Sequence, residues 1–108
     1  MSEPTELLKG TLDLLILRAI ELAPMHGAAI ADRIAQTTRG TFQVKAGSLF
    51  PALHRLEQEG WTKGVWTTSA EGRRVKVYEL TRGGRQQLAT EKAQWQRIVA
   101  AMARALEA

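Results

Sequence analysis

With 108 residues and 44% hydrophobic content, the chain holds about one small domain whose core is modest, so a partner chain is expected to help bury apolar surface. The lack of cysteine excludes disulfides and thiolate metal sites, two histidines make a poor metal cage, and the longest dense apolar run, 14–17, is far short of a membrane span. Fifteen Lys and Arg against eleven Asp and Glu leave a net charge of +4, which permits a polyanionic partner without demanding one.

From Glu6 to Leu22 the apolar residues Leu8, Leu12, Leu15, Ala19 and Leu22 recur at steps of three and four, which predicts an amphipathic helix that Pro24 ends. After the turn at Met25-His26-Gly27, residues Ala28 to Thr37 predict a shorter helix with Ile30 and Ile34 on one face, closed by Gly40. In KAGSLFPALHRLEQEGW, Lys45 to Trp61, Leu49, Leu53 and Leu56 keep helical spacing although Pro51 lies among them. Proline is tolerated where backbone N–H groups have no intrahelical partner, so this third helix is expected to place Pro51 in its first turn, with Ser48 as N-cap and Gly60 as its stop. Ser48, Phe50, Pro51, His54 and Arg55 then lie on the outward side of its first two turns.

Beyond Trp61 the period shifts towards two: TKGVWTT and RRVKVYEL read as strands around the turn cluster SAEG, a β-hairpin with a basic tip near Gly72. On the returning strand Val75, Val77 and Glu79 are expected to point one way and Arg74, Lys76 and Tyr78 the other. Thr81 is expected to cap a last helix reaching about Leu106, with Gly83 and Gly84 weakening its first turn. At 1.5 Å per residue such a helix is roughly 37 Å long, more than one small domain needs to cover itself. Leu88, Trp95 and Met102 recur every seven residues with Lys92, Val99 and Leu106 between them, an imperfect seam for a second copy of the helix or for the chain's own first helix.

The fold class this order predicts is mostly α with a small β-hairpin: a winged helix-turn-helix over residues 1–80, then a long C-terminal dimerisation helix over 81–108. In such a fold the third helix presents its N-terminal turns to the DNA major groove. Lys45, Arg55, Arg73, Arg74 and Lys76 are expected to contact phosphate, Phe50 to touch a thymine methyl or sugar, and Ser48, Pro51 and His54 to line the same surface. Each has a plainer reading, a solvated charged face for the cations, a helix cap for Ser48 and a solvated helix surface for His54 beside Glu57. Trp61 and Trp66 are expected to pack in the core or wing.

GSLFPALHRLEQEGW resembles the recognition-helix signature of PadR-type transcriptional regulators, as do LLKGTLDLLIL at Leu7 to Leu17 and GRRVKVYELTRGGR at Gly72 to Arg85. The single helix after the wing is similar to the smaller branch of that family. The resemblance implies a cytoplasmic homodimer that binds a near-palindromic promoter site and mostly represses, paired through its N- and C-terminal helices. Leu8, Leu12, Leu15, Leu88, Trp95, Ile98, Val99, Met102 and Leu106 are the corresponding dimer contacts. Some relatives release DNA on binding a small aromatic or lipophilic compound at the interface, and Trp95 is the residue here that could stack on a flat ring. This chain departs from the family pattern at two positions, with Phe50 where tyrosine is usual and Ala28 where an aromatic is usual. An architectural or protein-binding winged helix without sequence-specific recognition is the alternative. With no paired carboxylates, metal-ligand spacing or glycine-rich phosphate loop, neither catalysis nor a cofactor is expected.

Overall fold

The computed structural model describes residues 9–107. They form α1 (Lys9–Leu22), a short β1 (Met25–His26), α2 (Gly27–Thr37), α3 (Ala46–Gln58), β2 (Thr62–Thr68), β3 (Arg74–Leu80) and α4 (Arg82–Glu107). This is the expected winged helix-turn-helix with a long terminal helix. The expected start of α1 at Glu6, and Leu8 with it, lies outside the described residues.

α1 is the centre of the core. Leu12, Ile16, Leu17, Ala19 and Ile20 are buried against Ile30 and Ile34 of α2, Leu49, Ala52, Leu53 and Leu56 of α3, Tyr78 of β3 and Leu88 of α4. LDLLILRAIEL is apolar nearly all round, and a helix of that kind is covered on several sides, so its periodicity does not select one face. Two expected interface residues are therefore corrected: Leu12 and Leu88 are 7% and 4% exposed and belong to the chain's own core. Leu22, expected on the inner face of α1, is exposed instead.

α2 begins at Gly27, where the sequence leaves no room for a side chain: a Cβ there would stand 2.9 Å from the Phe50 ring. It ends in a left-handed turn, with Arg39 at φ +51° and Gly40 at φ +78°, and the Thr38 hydroxyl donates 2.7 Å to the Ile34 carbonyl. α3 starts earlier than its proline suggests. The Leu49 N–H already bonds the Lys45 carbonyl at 2.9 Å, so Lys45 is the N-cap, Ser48 sits in the first turn and Pro51 is the sixth helical residue. Pro51 thus lies in the helix interior, correcting the first-turn placement, and deprives the Gly47 carbonyl of its i+4 donor. The other end is as expected: Gly60 at φ +79° closes a Schellman turn, with Trp61 N–H to Leu56 O at 3.1 Å and Gly60 N–H to Glu57 O at 3.0 Å.

β2 and β3 form the hairpin, turning through Gly72 at φ +84°, and β1 adds a third antiparallel strand in the order β1-β3-β2. β1 was not expected from the sequence; its two residues Met25 and His26 pair with Tyr78 and Val77. The register sets Trp66 opposite Lys76, Gly64 opposite Tyr78 and Thr62 opposite Leu80, so these share one face of the hairpin. The alternation along β3 is as expected; Tyr78 is its buried residue, and Val75, Lys76 and Val77 are half-buried.

Thr81 caps α4, its hydroxyl accepting the Gly84 N–H at 3.0 Å and donating 2.6 Å to the Gly60 carbonyl. Gly84 looks like a weakness in a helix start, yet any Cβ there would overlap the Trp61 carbonyl oxygen. Close seating of α4 on the end of α3 requires glycine at that position. Gly84 and Leu88 are the buried residues of α4, and everything from Lys92 to Glu107 is exposed. The helix projects, in a chain whose longest dimension is 56 Å.

Candidate nucleic-acid interface

α3 buries Leu49, Ala52, Leu53 and Leu56, which turns Gly47, Ser48, Phe50, Pro51, His54 and Gln58 outward. This face is small or polar apart from Phe50. Phe50 is half exposed, with one ring edge against Gly27 at the start of α2, so the ring spans the helix-turn-helix while its other side is open. Lys45 is exposed at the N-terminal end of α3, where free backbone N–H groups also point.

On the wing, Arg73 and Arg74 are exposed, and the Arg74 guanidinium lies 5.2 Å from the centroid of the Trp66 ring. Trp66 is 56% exposed, a large aromatic left open on a charged hairpin. From the sequence, packing is the favoured role for Trp66 over ligand binding. The diagonal relation of positions 66 and 74 across the register was the available signal.

Two of the five cations expected on phosphate are engaged within the chain instead. Arg55 Nη2 pairs with Oδ1 of Asp13, a carboxylate on α1 whose residue is 7% exposed. A buried carboxylate requires a partner, and Arg55 faces α1 because α1 supplies this one. Lys76 Nζ donates 2.8 Å to Oε1 of Glu57, while the Gly64 N–H donates 3.2 Å to Oε2 of the same carboxylate. The hydrogen bond from Lys76 holds the Glu57 carboxyl below its ordinary range, and the reciprocal bond raises Lys76. Glu57 is thus held in a structural pairing. Arg55, Lys76 and Glu57 therefore join α3 to α1 and to the wing, leaving Lys45, Arg73 and Arg74 as the outward cations.

The second feature is α4. Trp95, Ile98, Val99, Met102 and Leu106 are all at least 44% exposed along one stripe. Leu15 of α1 is half-buried against the core. Between α1 and α4 lies a largely apolar cleft of about 330 Å³ lined by Gly10, Thr11, Leu14, Glu91, Gln94, Trp95 and Ile98. The Glu91 carboxylate enters it with Oε2 buried and without a hydrogen-bond partner among the described residues. Burial pushes the Glu91 carboxyl above its ordinary value, against the effect of a Gln87 hydrogen bond and with that of the Asp13 charge. No helix among the described residues is long and apolar enough to cross a membrane.

The transcriptional regulator PadR-like family matches residues 16–90. A PadR-like transcriptional regulator from Bacillus cereus superposes with a TM-score of 0.81 at 26% identity, over 96% of this chain and 99% of that one. A PadR family transcription regulator from Clostridium difficile gives 0.76 at 31% identity, over 88% and 97%. An uncharacterized protein of Lysinibacillus sphaericus is 27% identical over 94 residues, 87% of this chain and 86% of its own.

Proposed function

This chain belongs to the PadR-like family of transcriptional regulators, and on that premise we propose that it is a homodimeric repressor reading a near-palindromic promoter site in the cytoplasm. Residues 1–80 carry the DNA-binding unit and 81–108 the dimerisation helix. The observation that carries the reading is the joining of α3's small, polar outward face to a wing bearing Arg73 and Arg74, through Glu57 at the edge of that face. Lys45, Ser48, Phe50, Pro51 and His54 address the major groove and its phosphates, and Arg73 and Arg74 the flanking backbone or minor groove. With Phe50 in place of the usual tyrosine, apolar contact to a thymine methyl or sugar replaces any hydroxyl contact.

Dimerisation is supported by the stripe on α4. Beyond the contact of Trp95 and Ile98 with α1, the outer half of α4 is exposed among the described residues, and its five apolar residues at steps of three, one, three and four suit a second copy. The cleft at Trp95 would take a small aromatic or lipophilic effector that releases DNA.

The test is selection of duplexes from a random-sequence pool, followed by titration of the enriched duplex and a mixed-sequence duplex of equal length. Preference for the enriched duplex by a factor of about a thousand or more is the expected result. Equal affinity for both would favour an architectural winged helix over a sequence-reading regulator.

A further inference from the structure

We propose that Glu57 is a positioning residue that straps the wing to the reading helix, fixing the angle between them and so the protein's discrimination among DNA sequences. This rests on the DNA-binding reading above and goes beyond it by assigning the element that sets the geometry.

Glu57 lies near the C-terminal end of α3, one turn after His54 and at the edge of the outward face. Its two carboxylate oxygens are divided between the two strands of the wing, Oε1 receiving Lys76 Nζ of β3 and Oε2 the Gly64 N–H of β2. One contact would leave the hairpin free to rock about it. Two contacts to different strands restrain that rocking. Gly64 makes the path possible, because a Cβ there would overlap Lys76 Cε and come 3.1 Å from Glu57 Oε2. The strap is partly exposed, with side-chain accessibilities of 29% for Lys76 and 31% for Glu57. Ion pairs in such settings add little to folding stability, so orientation is the effect left to them. A carboxylate close to a phosphate-facing surface would by itself oppose binding; its neutralisation by Lys76 lets it stay there.

The experiment uses the full chain and the variants Glu57→Ala, Lys76→Met and Gly64→Ala. By nitrogen-15 NMR, Glu57→Ala is expected to speed hydrogen exchange of the Gly64 amide and increase motion of residues 65–75, with the signals of α1 and α2 unmoved. Unchanged Gly64 exchange and unchanged wing order would overturn the strap. On DNA, each variant is expected to lose roughly tenfold in the ratio of affinities for the enriched over the mixed-sequence duplex, and Glu57→Ala/Lys76→Met no more than either alone. If Glu57→Ala instead tightens both duplexes by the same factor, Glu57 merely repels phosphate and the positioning role is lost. If the unaltered protein enriches no duplex, the sequence-reading function fails, and the Gly64 exchange still decides whether the strap orders the wing.

Discussion

Arg74 and Glu91 show how differently single charges are used in this fold. Arg74 is exposed on the wing and stacked over Trp66, a placement that steadies the guanidinium without neutralising it. Arg74→Ala is expected to weaken binding to enriched and mixed-sequence duplexes alike and to flatten the plot of log affinity against log salt by about 0.9, the value of one phosphate contact. An unchanged slope in a salt titration would remove Arg74 from the interface. Glu91 is the opposite case, a carboxylate whose pKa burial raises above its unfolded value near 4.5. Its ionised form is disfavoured in the fold, so the destabilisation is fully present above the folded pKa and relieved as pH falls through it towards the unfolded value. Thermal melts should therefore show Glu91→Gln melting above the unaltered protein at pH 7 and losing that advantage near pH 4. An equal gain at both pH values would mean that the carboxylate's charge is not the cause.

The third helix carries a proline where proline costs most. With the helix starting at Ala46, Pro51 forfeits one backbone hydrogen bond and presses its ring towards the Gly47 carbonyl. Pro51→Ala should raise unfolding free energy by roughly 1–3 kcal/mol in urea denaturation, since alanine restores the bond. If stability fell instead, the ring would be making a compensating contact worth more than the bond. Retention of such a residue at the centre of the outward face fits a surface shaped for a ligand rather than for the subunit's own stability. At the start of α4 the balance is reversed: Gly84 sacrifices helix propensity, and that loss permits the close approach to Trp61 on which the direction of α4 depends.

Across the whole molecule, α4 divides at about Glu91. Its inner part packs through Leu88 on the core, and its outer part presents Trp95 to Leu106 to whatever lies outside the subunit. Leu88→Ala is expected to cost about 2–5 kcal/mol of folding stability by leaving a cavity. If α4 forms the proposed dimer contact, Trp95→Ala should leave the buried core intact and weaken self-association by about tenfold or more, because it removes a large, half-exposed aromatic from that contact. Sedimentation velocity across a dilution series separates the two effects, and a Trp95→Ala protein still dimeric at nanomolar concentration would place the interface elsewhere. In the proposed dimer, two copies of α3 would have to lie about 34 Å apart to read successive major grooves on one side of a duplex.

The order of elements, the wing with its basic tip, the cap at Thr81 and the projecting last helix were all legible in the sequence, because helical and strand periods, turn residues and chain length are local properties written along the chain. The third-helix segment also carried enough of its signature to suggest the family. Other features depended on residues far apart in sequence. Arg55 reads as an outward cation until α1 brings Asp13 beside it, and Lys76 until the hairpin folds back on Glu57. Leu12 and Leu88 read as interface residues until α1 is enclosed on several sides. β1 is too short to have a period and exists only because β3 offers it an edge. A sequence states which side chains carry charge or apolar surface; which of them are left over to meet DNA or a second subunit is decided by the tertiary structure, since burying a charge requires a partner and that partner comes from another element.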